Sequence, residues 1–315
     1  MKTTRAYAPA SVGNVGLGFD VLGAALAPVD GSLLGDEVSV TDAPDYSLDV
    51  TGRFAHKLPA GENNNIVTRC YAHFMSHLEK SGRTGSPVAM TLSKNLPIGS
   101  GLGSSASSIV AAFHALNQHF DSPFDDRALL LMMGELEGQI SGSIHYDNVA
   151  PCFLGGITLM TGEARISVSL PVIEEWRVVV CYSGISVSTA EARNILPASY
   201  AMADTLTFGR QLAVFVHALH SGQTDLATAM VNDVIAEPWR KSLLPEFDNV
   251  REQCMKDGAT AFGISGSGPT VFAICTDDDS ARAVARTMTS HYIQNQDGFT
   301  HICRIPAEGA VLRPE

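Results

Sequence analysis

The chain has 315 residues, of which 45% are hydrophobic and 17% are charged, and its formal net charge is −12. This composition is typical of a compact globular protein, and the excess of negative charge argues against nucleic acid as a partner. No segment reaches the about eighteen apolar residues of a membrane span, and the N-terminal residues lack the apolar core of a signal peptide. We therefore expect a cytoplasmic protein without a membrane partner.

Strand-like and helix-like patterns are mixed along the whole chain. The C-terminal strand-helix-strand block is typical of an α+β layer and not of a doubly wound sheet, so we expect an α+β fold. Strands are predicted over residues 37–40, 46–50, 88–92, 156–160, 177–182, 270–275 and 301–305, and helices over 66–80, 105–120, 126–138, 208–221, 224–234, 245–256 and 279–292. We place a domain boundary near residues 169–172, which divides the chain into residues 1–170 and 171–315.

The first of three glycine-rich segments runs from Ala8 to Asp20 and reads APASVGNVGLGFD. It contains one carboxamide, Asn14, and one carboxylate, Asp20. The second segment, PIGSGLGSSAS from Pro97 to Ser107, immediately precedes a predicted helix with an apolar face. Glycines let backbone N–H groups approach a ligand, and the helix start adds unpaired N–H groups and a positive dipole end, so we expect this segment to bind a polyphosphate.

This second segment differs from the two common nucleotide-binding loops. A P-loop requires a lysine before the hydroxyl residue, whereas Leu102 and Gly103 precede Ser104 here. The spacing G-x-G-x-G also differs from the dinucleotide fingerprint G-x-G-x-x-G. A tight turn without a ligand is the alternative interpretation of this segment alone. The third segment, GISGSGPT from Gly263 to Thr270, could by itself equally be a turn that leads into an interior strand.

Six cysteines stand at positions 70, 152, 181, 254, 275 and 303. No two of them have the C-x-x-C spacing, so we expect reduced thiols and no zinc site.

The order of the glycine-rich segments resembles the GHMP kinase superfamily, which is named for galactokinase, homoserine kinase, mevalonate kinase and phosphomevalonate kinase. Within it, the chain resembles the homoserine kinase family of enteric-type bacteria. The similarity lies in APASVGNVGLGFDVLG from Ala8, PIGSGLGSSAS from Pro97, LEGQISGSIHYDNVAPCFLGG from Leu136, STAEARNILP from Ser188, IAEPWR from Ile235 and GISGSGPT from Gly263. One departure is the sequence SVGN at Ser11–Asn14, where the family usually has Ser-Ala-Asn.

The resemblance implies a ribosomal-S5-like N-terminal domain that binds ATP, a ferredoxin-like C-terminal domain, and a homodimer. It also implies transfer of a phosphate from ATP to L-homoserine, on the route to threonine. The nucleotide would be bound by Pro97, Ile98, Gly99, Ser100, Gly101, Leu102, Gly103, Ser104, Ser105, Ala106, Ser107, Gly266, Ser267 and Gly268. Ser105 and Glu137 would hold Mg²⁺, whereas Glu135, two residues earlier on the helix, is expected to point away.

The acceptor implied by the resemblance carries an ammonium, a carboxylate and a hydroxyl group. Asp20 can bind the ammonium with Asn14 orienting it, and the guanidinium groups of Arg193 and Arg240 are suited to the carboxylate. Asn148 would hydrogen-bond the reacting hydroxyl; some relatives have an aspartate at this position. An amide cannot accept a proton at neutral pH, and the sequence does not show whether the neighbouring Asp147 or His145 points inward.

Two alternative functions remain open at this level. The chain could phosphorylate another small alcohol, such as mevalonate or shikimate, although these lack the ammonium that would explain Asp20. It could also be a sensor of nucleotides or amino acids that binds without turnover. The presence of Ser105, Glu137 and the glycine loop favours a catalyst over a sensor.

Overall fold

The computed structural model describes residues 2–58, 65–141, 144–162 and 165–314, with the side chains of residues 140 and 141 left out. Its strands are β1 (Thr3–Pro9), β2 (Ser11–Gly13), β3 (Leu22–Ala25), β4 (Ala27–Pro28), β5 (Gly35–Asp42), β6 (Ser47–Thr51), β7 (Val88–Ser93), β8 (Ile157–Met160), β9 (Ser167–Leu170), β10 (Arg177–Tyr182), β11 (Ala261–Ile264), β12 (Val271–Cys275), β13 (Phe299–Arg304) and β14 (Val311–Arg313).

The helices are α1 (Ile66–Lys80), α2 (Ser104–His119), α3 (Asp126–Ser141), α4 (Val149–Leu154), α5 (Thr189–Asn194), α6 (Met202–Ser221), α7 (Thr224–Met230), α8 (Glu237–Arg240), α9 (Phe247–Lys256) and α10 (Asp278–His291). None of the helices in the described part of the chain combines the length and the apolar character that crossing a bilayer requires.

The N-terminal half is built on a five-stranded sheet with the order β14-β1-β5-β7-β6. Alternating residues of β7 are buried, as expected for a strand with one face on a core. Helices α1, α2 and α3 supply most of the rest of that core, with Phe74 and Phe113 at its centre. A second, four-stranded sheet has the order β2-β3-β8-β9 and joins the segment 11–25 to the segment 157–170.

The C-terminal half is built on a third sheet, with the order β11-β12-β10-β13-β4. Helices α9 and α10 cover one face of it, and α6 and α7 share a core with the other. Two strand pairs cross the boundary predicted near residue 170: β4 pairs with β13, and β14 returns to pair with β1. Each part thus contributes a strand to the sheet of the other part. The division into residues 1–170 and 171–315 remains a prediction.

Most predicted elements are present, and the α+β class is confirmed. The predicted helix over 224–234 is too long, however, because α7 ends at Met230. The side chain of Asp233 accepts hydrogen bonds from the backbone N–H groups of Ile235, Ala236 and Glu237 at 2.7, 2.8 and 3.1 Å. These bonds hold the turn that leads into α8, whose N-cap is Ala236, and the chain does not continue along α7.

Candidate active site

The three glycine-rich segments converge on one cleft of about 530 Å³ between the two halves of the chain. The predicted site residues that line it are Asn14, Asp20, Ile98, Gly99, Ser100, Gly101, Gly103, Ser104, Ser105, Glu137, Asn148, Arg193, Arg240, Gly266 and Ser267. A wider groove of about 1430 Å³ lies elsewhere and contains none of the predicted site residues.

At three positions of the loop before α2, the backbone has a conformation that only glycine adopts readily. Gly99, Gly101 and Gly103 have φ angles of +64°, +80° and +65°. Four successive carbonyl groups, from residue 99 to residue 102, accept hydrogen bonds from Val187 N–H, Thr270 N–H, Ser265 Oγ and Ser11 N–H at 2.6–3.1 Å. These bonds fix the loop against other parts of the chain, so its shape exists before any ligand arrives.

The first residues of α2 carry the polar groups nearest to this loop. Backbone N–H groups in the first turn of a helix have no partner within the helix and favour anions. Ser104 Oγ donates to the carbonyl of Leu96 at 3.1 Å. Lys94 Nζ donates to the carbonyl of Ser104 at 2.9 Å and to Ser108 Oγ at 3.0 Å, and it forms a buried ion pair with Asp36. This buried lysine secures the start of the helix.

Five residues predicted to bind the nucleotide do not line the cleft: Pro97, Leu102, Ala106, Ser107 and Gly268. Leu102, Ala106 and Ser107 are fully buried in the protein core. The N–H of Ser107 donates to the carbonyl of Gly103, and its hydroxyl donates to the carbonyl of Ala8, both at 2.8 Å. Ser107 is therefore a structural residue, and the prediction that it binds the nucleotide is corrected.

Ser105 and Glu137 meet across the cleft, although they lie on different helices. Ser105 Oγ donates to Glu137 Oε1 at 2.8 Å. Desolvation raises the pKa of Glu137, and the hydrogen bond from Ser105 and the charge of Lys94 partly offset this effect. Glu135 points elsewhere, as predicted, and contacts His73.

Charged residues of both signs lie at the other end of the cleft. Both guanidinium N–H groups of Arg193 bind the Asp20 carboxylate, at 2.8 and 3.1 Å. The Phe19 ring packs against Arg193 and Arg240, with centroid distances of 5.5 and 5.1 Å to the two guanidinium carbons. The site thus contains one carboxylate and two guanidinium groups within a short span.

The backbone N–H and carbonyl of Gly266 connect three parts of the site. Its N–H donates to the carbonyl of Gly13, and its carbonyl accepts from Asn14 Nδ2 at 3.2 Å and from Arg240 Nη1 at 2.9 Å. Arg240 Nε also donates to the carbonyl of Ala192 at 3.0 Å. Asn14 Oδ1 in turn accepts from the N–H of Asp20 at 3.0 Å. Asn14 therefore orients the loop that carries Asp20.

Asn148 lies in the middle of the cleft and has two polar partners. Its Oδ1 accepts from Ser11 Oγ at 3.0 Å, and its Nδ2 donates to Asp147 Oδ2 at 3.2 Å. Asp147 is 5% exposed. Burial, together with the nearby negative charges of Asp20 and Glu137, raises the pKa of Asp147 to about 7.

His145, on the same segment, also lies in the cleft. Its Nδ1 is 3.6 Å from Asp20 Oδ2, and burial lowers its pKa. The structure thus places both neighbours of Asn148 that the sequence left undecided on the cleft wall.

Three residues that support the site were not predicted from the sequence. Lys94 secures the start of α2, Phe19 packs against both arginines, and Asp233 holds the turn before the short helix that carries Arg240. An isolated lysine at the end of a strand and the pattern D-x-I-A-E were the only signals available. Neither is specific without knowledge of the surroundings.

The chain is similar to known kinases in both sequence and fold. The family model for the N-terminal domain of GHMP kinases matches residues 65–156, and the model for their C-terminal domain matches residues 216–294. A homoserine kinase from Cytophaga hutchinsonii is 31% identical; the similarity covers 99% of this chain and 98% of that chain, with a TM-score of 0.89. The chain belongs to the GHMP kinase superfamily.

More distant structures share the fold. The L. major mevalonate kinase in complex with R-mevalonate is 16% identical, with a TM-score of 0.66 over 98% of this chain and 96% of that chain. Streptococcus pneumoniae phosphomevalonate kinase, in complex with phosphomevalonate and AMPPNP, is 13% identical, with a TM-score of 0.69 over 96% of this chain and all of that chain. The two-domain fold expected from the sequence is confirmed, and the chain is an ATP-dependent kinase of a small molecule.

Proposed function

We propose that this GHMP kinase transfers the γ-phosphate of ATP to the hydroxyl of L-homoserine, giving ADP and O-phospho-L-homoserine. The observation that carries the proposal is the pairing of Asp20 with Arg193, beside Arg240, in the same cleft as the glycine loop. An amino acid with a free carboxylate needs partners of both signs at a fixed spacing. The 31% identity to a homoserine kinase over nearly the whole chain supports the same substrate.

In this proposal the phosphates of ATP bind to the glycine loop and to the first turn of α2, where backbone N–H groups favour anions. Mg²⁺ binds oxygen ligands, usually one or two protein groups in addition to phosphate and water. The hydroxyl of Ser105 and the carboxylate of Glu137 fit this requirement. Ser105 Oγ, in the first turn of α2, lies 2.8 Å from Glu137 Oε1 on α3. Bound there, Mg²⁺ would neutralise charge on the phosphates.

The acceptor would enter between Asp20 and the arginines. Its ammonium replaces the Arg193 guanidinium as a partner of Asp20, and its carboxylate binds to Arg193 and Arg240 through paired N–H groups. Asn148 then orients the reacting hydroxyl toward the γ-phosphate. Phosphoryl transfer depends mainly on such positioning and on charge stabilisation, so we assign no residue as a dedicated base.

We infer that the enzyme acts in the cytoplasm as a homodimer and that its product feeds threonine biosynthesis. The similarity to the homoserine kinase from C. hutchinsonii supports the identity of the product, whereas the location and the homodimer rest on the family resemblance of the sequence motifs.

A coupled assay for ADP release tests the proposal, with L-homoserine, mevalonate and shikimate as acceptors in the presence of ATP and Mg²⁺. We expect the highest kcat/KM by far for L-homoserine. A higher kcat/KM for mevalonate or shikimate would assign a different acceptor. Calorimetry that shows homoserine and ATP binding without ADP release would instead identify a sensor.

A further inference from the structure

A second cluster of polar side chains lies outside the cleft, between the outer faces of α1 and α3. It consists of His73 and His77 on α1 and Glu135 on α3. One ligand-type atom from each of the three residues lies within 4.8 Å of the other two. His73 Nε2 donates to Glu135 Oε2 at 2.9 Å, so the two helices are already joined at this point.

The two histidines are four residues apart on one helix, which places them on the same face. Their rings are close, with centroids 4.5 Å apart and planes inclined at 53°. The Phe113 ring meets the His73 ring edge to face at 6.3 Å and limits its movement. Both residues are partly buried, and each imidazole ring makes a hydrogen bond.

The hydrogen bonding of His77 leaves one ring nitrogen suited to a metal. His77 Nδ1 lies 3.0 Å from the carbonyl oxygen of His73. A carbonyl can only accept, so Nδ1 carries the hydrogen and Nε2 of the neutral ring keeps its lone pair. Histidines that bind metals usually donate their other N–H to a carbonyl or carboxylate in this way.

We propose that His73, His77 and Glu135 form a binding site for a divalent transition-metal cation of the Zn²⁺ type. Two imidazole nitrogens and one carboxylate oxygen suit Zn²⁺, Co²⁺ or Ni²⁺, whereas Mg²⁺ and Ca²⁺ prefer sites made entirely of oxygen. The cation takes the place of the Nε2 hydrogen that His73 donates to Glu135, and the neutral His73 ring then carries its hydrogen on Nδ1. This site contains no cysteine and differs from the expectation of no zinc site, which rested on cysteine spacing alone.

A cation at this position would link α1 to α3. Both helices also contribute to the cleft, α1 through Ile66 and Arg69 and α3 through Glu137. The cation would therefore stabilise the frame of the N-terminal half without contacting the reacting groups. Because none of its three ligands lines the cleft, this site does not depend on the proposed substrate.

Metal titrations of the full-length protein, in buffer that contains Mg²⁺ and no ATP, test the proposal. We expect one Co²⁺ per chain with visible absorption bands, displacement of Co²⁺ by Zn²⁺, and a rise in the melting temperature with Zn²⁺. Changing an outer partner of a metal ligand weakens binding by about 10- to 100-fold. His77→Ala and Glu135→Gln each remove a ligand and should weaken Zn²⁺ binding at least about tenfold.

The matched control is His220→Ala, which removes an exposed histidine from α6. This variant should bind Co²⁺ and Zn²⁺ as the natural chain does. Glu135 is partly exposed, so Glu135→Gln tests the site even if a histidine variant fails to fold. Absence of Co²⁺ and Zn²⁺ binding to the natural chain, or unchanged binding in Glu135→Gln, would overturn the proposal.

Discussion

Glu137 combines burial with a hydrogen bond from Ser105 at the start of α2. If this carboxylate holds Mg²⁺, Glu137→Gln keeps the size of the side chain and removes its charge. We expect kcat to fall by about 10²-fold or more, the effect of losing one charge-stabilising group. The Mg²⁺ concentration required for half of the maximal activity should rise in the same ADP-release assay.

The control for this experiment is Glu79→Gln, which changes an exposed glutamate on α1 and should leave the rate unchanged. Unaltered rate and Mg²⁺ dependence in Glu137→Gln would remove Glu137 from the site.

Arg240 is 3% exposed and has two backbone carbonyls as partners, Ala192 and Gly266. If Arg240 binds the substrate carboxylate together with Arg193, truncation of Arg240 removes one of the two partners of that buried charge. Arg240→Ala should therefore lower kcat/KM for homoserine by a factor that corresponds to a loss of roughly 2–5 kcal/mol in transition-state stabilisation. The affinity for ATP should change little. Arg240→Lys should recover only part of this loss because lysine lacks the planar fork.

A carboxylate ester of homoserine distinguishes binding from a structural effect. It should be a poor substrate for the natural enzyme, and Arg240→Ala should discriminate less between ester and acid. Should the variant keep its full preference for the free acid, Arg240 is a structural residue.

The raised pKa of Asp147 should make the stability of the folded protein depend on pH. With a pKa of about 7 in the folded protein against an ordinary value of 3.8, Asp147 keeps a proton that the unfolded chain loses. The free energy of unfolding should therefore decrease as the pH rises from about 4 to about 7. Asp147→Asn should reduce this decrease, as measured by urea unfolding at pH 5 and pH 8, whereas the control Asp45→Asn, at an exposed position, should not.

The same variant tests whether catalysis requires a carboxylate base. Because Asn148 orients the hydroxyl in our proposal, Asp147→Asn should retain measurable turnover. Loss of turnover while homoserine still binds would make Asp147 the base, and the same result for His145→Ala would assign that role to His145.

Among the elements, the loop from residue 97 to residue 103 leaves little space for a side chain at its glycine positions. A Cβ atom on Gly101 would lie 2.4 Å from the carbonyl oxygen of Ser265, and the φ angle of Gly101 is +80°. Gly101→Ala should therefore displace the loop, and the KM for ATP should rise more than the KM for homoserine. Steady-state kinetics with each substrate varied in turn measures this difference.

Gly31 provides the matched control, since its φ angle is +78° and no atom lies within 4 Å of its Cβ position. Gly31→Ala carries the same backbone strain, roughly 1–2 kcal/mol, without the steric clash. It should lower stability and leave the KM for ATP unchanged. Equal kinetic effects of the two variants would contradict a specific role for the Gly101 contact.

Elements with strong local signals were predictable from the sequence. Helix α1 matches its prediction at both ends because Asn65 caps it and an apolar stripe runs along it. Strand β10 also matches, since a continuous apolar run marks an interior strand. The short strands β4 and β14 were not predicted, because two or three residues carry no periodicity and their pairing is set by the tertiary fold.

The sequence motifs predicted which residues belong to the site. They did not predict features that depend on burial, such as which side chains face the core and which carboxyl groups stay protonated. The motifs identified Asp20, Glu137 and the arginines, which the structure brings together. They also included Ser107, because a linear motif does not show which face of a helix meets the core. The protonation of Asp147 and the role of Lys94 depend on surrounding residues that are distant in the chain.

For the whole molecule, the exchange of strands predicts that both halves unfold together. One hydrophobic core combines Leu22 and Leu102 from the N-terminal half with Trp176 and Phe215 from the C-terminal half. Unfolding in denaturant should therefore follow a single transition. Both tryptophans, Trp176 and Trp239, belong to residues 171–315, so their fluorescence follows the surroundings of the C-terminal half, including the shared core around Trp176, whereas far-ultraviolet circular dichroism reports on the whole chain.

The midpoints of the two signals should coincide. A fluorescence midpoint that differs from the circular dichroism midpoint would show that the halves unfold independently in spite of β4 and β14.

The carbonyl of Gly266 has a thermodynamic consequence for how the two substrates bind. It is shared by Asn14 and Arg240 on the acceptor side, while the Ser265 hydroxyl beside it holds the carbonyl of Gly101 on the nucleotide side. A ligand that restrains this shared backbone also restrains the groups that bind the other ligand, so each substrate should increase the affinity for its partner. Linkage requires the two increases to be equal, whichever ligand binds first.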